Sequence, residues 1–94
     1  MSDRPKVSVC VITYNHQRFL PRTLDSLLLQ EAKFPWEVVV VDDASTDATP
    51  AILDDYAARH PERIRAYHNP RNRGPFRNFL YALHQCRGEY IAVC

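Results

Sequence analysis

The chain has 94 residues, of which 46% are hydrophobic and 24% charged, and its net charge is +1. This length allows one domain with a modest core, and the near-neutral charge argues against nucleic acid or an anionic membrane as the main partner. No stretch is long and apolar enough to span a bilayer, and the first residues lack the apolar core of a signal peptide. We therefore expect a cytoplasmic protein.

The pattern of apolar residues predicts strands and helices in alternation. Residues 7–13 form an apolar run rich in β-branched side chains, which predicts a strand buried on both faces. A helix follows, with a proline in its first turn. Its apolar stripe consists of Leu20, Leu24, Leu27 and Leu28. A connection over residues 31–36 leads to a second apolar strand over residues 37–41.

The second half of the chain continues this alternation. Thr49 and Pro50 predict the N-cap and first residue of a second helix. A third strand is predicted over residues 64–68, a loop over residues 69–75 and the start of a fourth strand over residues 90–94. A third helix is predicted between that loop and the fourth strand. Its apolar stripe consists of Phe76, Phe79, Leu80, Leu83 and Cys86, and Gly88 is its C-terminal cap.

This order predicts an α/β fold with an open, Rossmann-like parallel sheet, because right-handed crossovers join neighbouring parallel strands. If the first three strands step in one direction, the fourth must return beside the first, which gives the strand order 3-2-1-4. The reversal between strands 1 and 4 opens a crevice at their carboxyl ends, where such sheets bind ligands. We therefore expect a ligand site after strands 1 and 2.

Polar side chains that could bind a nucleotide follow these two strands. Tyr14 offers an aromatic face on which a base can stack, or it packs as a turn residue. Thr13 and Asn15 lie beside it, and Asn15 could instead cap the first helix. Asp42 could accept the imide N–H of uracil, thymine or guanine, which cytosine and adenine lack. Asp43 could bind the same ligand or shape the turn into the second helix.

Three arginines follow the third strand. Arg77, in the first turn of the third helix, is the one that we expect to contact a diphosphate, while Arg71 and Arg73 fit a solvated loop. A complete metal site is not expected, because the carboxylates of Asp42 and Asp43 point different ways with no third acidic ligand nearby. The histidines and cysteines lack ligand spacing, and no glycine-rich phosphate loop is present.

Four segments together resemble the family-2 glycosyltransferases: the strand that ends in Thr-Tyr-Asn, the turn Val-Asp-Asp-x-Ser-Thr-Asp, residues 69–74 and residues 88–92. The resemblance covers residues 6–94 and implies an A-type glycosyltransferase fold. It also implies transfer, usually with inversion, from a UDP-, dTDP- or GDP-linked sugar to a saccharide or lipid-linked acceptor. By similarity, Tyr14 would stack on the base, Asp42 would bind its imide edge, and an arginine near Arg77 would assist.

The same resemblance implies parts that the chain lacks. Family members carry an Asp-x-Asp-type motif after the fourth strand, which holds Mn²⁺ or Mg²⁺, and a later carboxylate that acts as general base. Neither lies within residues 1–94, so we expect this stretch to be the nucleotide-binding part of a truncated domain, with no catalytic residue and no activity alone. A receiver-type phosphoacceptor domain and a non-catalytic nucleotide-binding module remain as alternatives.

Overall fold

The computed structural model describes residues 4–94, in which four strands alternate with three helices. The strands are β1 (Val7–Thr13), β2 (Trp36–Asp42), β3 (Ile64–His68) and β4 (Tyr90–Val93). The helices are α1 (Leu20–Leu28), α2 (Thr49–Arg59) and α3 (Pro75–Gln85). The predicted strand bounds are confirmed to within one residue. None of these helices has the length and hydrophobicity needed to cross a membrane.

The four strands form one parallel sheet in the order β3-β2-β1-β4, which confirms the predicted topology. The pairing of β1 with β2 places Thr13 opposite Asp42, and its pairing with β4 places Cys10 opposite Val93. On the other side of β2, Asp42 lies opposite His68 of β3. Because the strands are parallel, the segments that follow β1, β2 and β3 meet along one edge of the sheet.

Strand β2 is buried along its whole length. Val38 and Val40 belong to the core beneath α1 and α2, whereas Val39 and Val41 belong to the core on the α3 side. A strand that is apolar on both faces is typical of a parallel sheet with helices on each side. These two cores hold the carboxyl ends of β1 and β2 in fixed positions.

Helix α3 turns a different face to the sheet from the one that the apolar stripe predicted. Asn78 is 1% exposed and Phe79 packs on the core, but Phe76 is 72% exposed and Leu80 is 48% exposed. The prediction was therefore wrong for Phe76 and Leu80. The reason is that Asn78 is turned inward, where its Nδ2 donates a hydrogen bond to the Val41 carbonyl at 3.1 Å.

Two predicted helix boundaries were also wrong. Helix α3 ends at Gln85, and Gly88 lies beyond that end. A Cβ at Gly88 would lie 2.6 Å from the Ser8 backbone nitrogen, so the close approach of β1 explains the glycine there. Thr49 is the first residue of α2 and not its N-cap, and its N–H donates to the Asp47 carboxylate at 2.8 Å.

Candidate functional site

The loops that follow β1 and β2 are joined by hydrogen bonds. The Asn15 N–H donates to Ser45 Oγ at 2.8 Å, and the Thr46 N–H donates to Asn15 Oδ1 at 2.8 Å. Asn15 has a φ of 53°, which asparagine tolerates better than most residues. A little further on, the Ala48 N–H donates to Gln17 Oε1 at 2.9 Å. These bonds fix the edge of the sheet beside which the candidate site lies.

Asp42 is part of this joint between the two loops. Its side chain is 1% exposed, and its Oδ1 accepts from Thr13 Oγ1 at 2.8 Å and from Ser45 Oγ at 2.5 Å. Its Oδ2 accepts from the Ser45 N–H at 2.9 Å. Asp42 also lines an open groove that it shares with Ser45 and His68. The carboxylate therefore holds the loop after β2 against the end of β1.

Asp43 binds a different loop, the one between β3 and α3. Its Oδ1 accepts from Asn69 Nδ2 at 2.9 Å and from the Arg73 N–H at 2.8 Å, and its Oδ2 accepts from the Gly74 N–H at 2.9 Å. Gly74 has a φ of 89°, a conformation that favours glycine. Asn72 Nδ2 adds a bond to the Asp43 carbonyl at 3.1 Å. The loop is thus wrapped around Asp43.

A cavity of about 280 Å³ opens beside Asp43, between the carboxyl ends of β1 and β2 and the start of α3. It is lined by Ile12, Thr13, Tyr14, His16, Asp43, Asn72, Pro75 and Asn78. This volume is close to the lower end of the range for small-molecule sites, about 300–1,000 Å³. Tyr14, which is 46% exposed, and Asp43, which is 2% exposed, line the same space.

The structure separates the two residues that the sequence paired. Tyr14 and Thr13 line the cavity together with Asp43, whereas Asp42 lines the groove instead. Consecutive residues of an extended segment point to opposite sides, which agrees with the placement of Asp42 and Asp43 on different cavities. The placement favours Asp43 as the partner of Tyr14, and the binding role of each residue stays a prediction.

Of the remaining predicted residues, Asn15 lies in the joint between the loops, and Arg77 is exposed on the first turn of α3. The sequence interpretation missed His16, Asn72 and Asn78, all of which line the cavity. A signal existed for Asn78, which is a polar residue between apolar positions of a helix. His16 and Asn72 carried no comparable signal, because polar residues in loops are usually solvated.

Asn78 connects the cavity to the centre of the sheet. It is buried, and it donates from Nδ2 to the carbonyl of Val41 in β2. Its Oδ1 accepts from Asn69 Nδ2 at 2.8 Å, and the same Asn69 amide donates to Asp43. A chain of hydrogen bonds therefore runs from β2 through α3 to the carboxylate in the cavity, which holds that carboxylate in one orientation.

Residues 8–94 match the family model described as Glycosyl transferase family 2. The chain belongs to this family. It is similar to the putative glycosyltransferase EpsE of Bacillus subtilis (strain 168), with 39% identity over 92 residues that cover 98% of this chain and 33% of the relative. The match confirms the predicted resemblance.

Solved structures of glycosyltransferases share the fold. The mannosyltransferase PcManGT from Pyrobaculum calidifontis, in complex with GDP-Man and Mn²⁺, aligns with a TM-score of 0.80 and 36% identity over 94% of this chain and 26% of that chain. S. aureus TarS 1-349, in complex with UDP-GlcNAc, aligns with a TM-score of 0.80 and 38% identity over 94% of this chain and 25% of that chain. The predicted fold class is confirmed.

The chain spans 24–34% of the length of these curated relatives of the family. Within residues 4–94, no cluster of three or more histidine, cysteine or carboxylate side chains is placed to hold a metal ion. Burial raises the pKa of the Cys10 thiol to about 11, which keeps it protonated and unsuited to ligation near neutral pH. The residues described do not fit a divalent cation.

A second buried polar cluster lies near the opposite end of the sheet. Glu37 is 6% exposed, and it accepts from Arg65 Nε at 2.8 Å and from Ser8 Oγ at 2.5 Å. Burial by itself would raise the pKa of Glu37, but the bonds donated by Arg65, Ser8 and the Arg87 N–H outweigh it and hold that pKa below its usual value. Glu37 therefore links β2 to β1 through Ser8 and to β3 through Arg65, away from the cavity.

Proposed function

We propose that this chain is the donor-nucleotide-binding part of a glycosyltransferase that moves a sugar from a nucleoside diphosphate to an acceptor hydroxyl, with inversion at the anomeric carbon. The observation that carries the proposal is that Tyr14 and Asp43 line one cavity at the carboxyl edge of a parallel sheet. It is supported by the structural relatives, which were solved with GDP-Man and with UDP-GlcNAc.

In this proposal the base stacks on Tyr14 and donates a hydrogen bond to Asp43. A carboxylate offers about four acceptor positions, and three of those on Asp43 are used by the loop between β3 and α3. The remaining position, on Oδ2, suits the imide N–H of uracil or thymine and the N1–H of guanine. We assign this contact to Asp43 in place of Asp42, because Asp42 lines the groove and not the cavity. The donor is then a UDP-, dTDP- or GDP-linked sugar.

Arg77 extends the site towards the diphosphate. It is exposed on the first turn of α3, two residues beyond Pro75, which lines the cavity. A guanidinium can donate two parallel hydrogen bonds to phosphate oxygens, which makes it a suitable partner for a charged leaving group. The acceptor is a saccharide or a lipid-linked saccharide, and the site proposed here is for the donor only.

We assign the divalent cation, Mn²⁺ or Mg²⁺, to residues outside 4–94, because no group of three or more histidine, cysteine or carboxylate side chains within this range is placed to hold it. We assign the catalytic base to residues outside this range by the family resemblance. The chain alone then binds nucleotide without transferring sugar. An assay of the isolated chain with UDP-, dTDP- and GDP-linked sugars, acceptor saccharides and Mn²⁺ tests this. Turnover by the isolated chain would show that the assignment is wrong.

Titration calorimetry with nucleoside diphosphates tests the donor site directly. We expect UDP, dTDP and GDP to bind more tightly than CDP and ADP, which lack the imide-type N–H. Tyr14→Ala should weaken binding about 5- to 150-fold, since stacking of a base on an aromatic ring is worth about 1–3 kcal/mol. The matched variant Tyr14→Phe keeps the ring and should bind as the wild type does. Equal affinity for UDP and CDP would contradict the proposal.

The receiver-type alternative has less support. Its acidic pair would end the first strand, whereas Asp42 and Asp43 follow a complete strand and helix and end β2. The family match over residues 8–94 is also to glycosyltransferases. Incubation with acetyl phosphate followed by mass spectrometry should therefore show no aspartyl phosphate, and a stoichiometric mass gain would favour the receiver.

A further inference from the structure

We propose that His16 is a positioning residue of the nucleotide site. Its neutral imidazole holds Tyr14 at the mouth of the cavity, and its Nε2–H donates to an oxygen of the ribose–diphosphate part of the donor. The contact of Nε2 with the donor rests on the proposed function of the cavity, whereas the bond between His16 and Tyr14 is present in the protein without ligand.

The hydrogen bond between Tyr14 and His16 determines which ring nitrogen carries the proton. The Tyr14 N–H donates to His16 Nδ1 at 2.8 Å. A backbone amide can only donate, so Nδ1 must hold a lone pair and the ring proton must be on Nε2. The bond spans Asn15, whose φ of 53° turns the chain so that the imidazole lies against the amide two residues before it.

The backbone of His16 is itself held by two helices. Its N–H donates to Thr49 Oγ1, in the first residue of α2, at 2.9 Å. Its carbonyl accepts from the Phe19 N–H at 3.0 Å and from the Leu20 N–H at 2.8 Å, where α1 begins. His16 is exposed, but its anchored backbone allows the ring to hold the backbone of Tyr14 in place.

His16 also lies between two cavities. It lines the cavity that contains Tyr14 and Asp43, and it lines a second cavity of about 180 Å³ next to Phe19 and Thr23. Within residues 4–94, Nε2 of His16 has no hydrogen-bond partner. A nucleotide whose base lies on Tyr14 has ribose and phosphate oxygens beyond the base, and these acceptors match an unused N–H at the boundary of the cavity.

Protonation of His16 would remove the lone pair that Tyr14 uses, because both ring nitrogens then carry protons. The titratable residues that line these cavities with His16 are Tyr14 and Asp43 in the first and Cys94 in the second. The Asp47 carboxylate accepts from the next residue, Gln17, at 3.3 Å. Unlike carboxylates and thiols, histidine side chains ordinarily change charge between pH 5 and 8.

The positioning role can be tested on the nucleotide-free chain by NMR between pH 5 and 8. We expect the Tyr14 amide resonance to shift with the same midpoint as the His16 ring nitrogens, and the Nδ1 resonance to be that of an unprotonated nitrogen at high pH. The amide of Tyr90, in β4, serves as the reference. A Tyr14 amide that does not change while His16 titrates would overturn the positioning role.

Three variants test the contact with the donor by UDP and GDP calorimetry at pH 8. His16→Phe keeps a ring without an acceptor or donor, and we expect about tenfold weaker binding from the loss of two hydrogen bonds. His16→Asn restores an acceptor near the position of Nδ1 and should recover most of the Tyr14 ordering but not the Nε2 contact, so about threefold weaker binding is expected. His84→Asn, at an exposed position of α3, is the control and should bind as the wild type does.

The two proposals fail in different ways. If His16→Phe binds UDP as the wild type does, the His16 contact is wrong and the donor site stands. If the wild type binds none of the nucleotides, the donor site and the Nε2 contact are both overturned, while coupled titration of Tyr14 and His16 would still support the positioning role. Equal binding by His16→Asn and His16→Phe would show that the acceptor at Nδ1 contributes nothing.

Discussion

The carboxylates of Asp42 and Asp43 bind loops on different sides of the end of β2. Asp42 Oδ1 accepts from Thr13 Oγ1 at 2.8 Å, and Asp43 Oδ2 accepts from the Gly74 N–H at 2.9 Å. Alternation of side chains along an extended segment produces this division. Each carboxylate has about one acceptor position left, but only that of Asp43 belongs to the cavity lined by Tyr14. Two adjacent residues of one type therefore hold different loops.

Asp42→Asn should lower stability without changing base preference. The amide would place a donor where Thr13 or Ser45 now donates, which costs about 1–3 kcal/mol for a buried group. We expect a lower urea midpoint and an unchanged ratio of UDP to CDP affinity. Loss of that preference in this variant would support the assignment of the base contact to Asp42 that the sequence alone suggested.

Asp43→Asn should change base preference and also lower stability, because an amide nitrogen in the place of Oδ2 faces the Gly74 N–H. An amide can donate to the ring nitrogen of cytosine, so we expect the preference for UDP over CDP to fall or reverse. The amide resonance of Gly74 serves as the control, because it reports whether the loop between β3 and α3 still contacts residue 43. A variant in which Gly74 keeps its resonance and the UDP preference is unchanged would contradict the proposed contact.

The sequence predicted the sheet but not the direction of these carboxylates, and the reason is physical. Apolar strands such as β2 must be covered on both faces, which largely dictates a parallel α/β sheet. The orientation of Asp43 depends instead on partners that are 26 and 31 residues away in sequence, Asn69 and Gly74. No local pattern encodes such contacts.

The sequence also mispredicted which residues of α3 face the sheet, and this leads to a further prediction. A helical period of 3.6 residues accommodates either Phe76 and Leu80 or Asn78 on the inner face, and hydrophobicity alone favoured the wrong pair. Leu80→Gln should change the free energy of unfolding by less than about 0.5 kcal/mol, because the residue is exposed. Phe79→Ala should cost about 2 kcal/mol or more, because Phe79 packs on the core. Equal costs in urea unfolding would contradict the observed face.

Variants of Asn15 separate its two structural roles. Its Oδ1 accepts from the Thr46 N–H, and its φ of 53° is a conformation that alanine adopts poorly. We expect Asn15→Asp to be nearly as stable as the wild type, Asn15→Gly to lose about 1 kcal/mol for the missing bond, and Asn15→Ala to lose more. Urea unfolding of the four proteins gives this order. If Asn15→Ala were as stable as Asn15→Gly, backbone strain would have no part in the effect.

The Glu37–Arg65 pair should make stability depend on pH. Because hydrogen bonds from Arg65 and Ser8 hold the folded-state pKa of Glu37 below its usual value of 4.5, this group contributes stability above pH 4.5 that is lost as the pH falls through the folded-state pKa. Urea unfolding between pH 7 and pH 3 should show a decline that is shallower in Glu37→Gln, which is also less stable near neutral pH because Arg65 loses its charged partner. Glu62→Gln, at an exposed position, should leave the decline unchanged. If Glu37→Gln and the wild type lose stability in parallel, the pKa of Glu37 is the same in the folded and unfolded chain, which would contradict the prediction.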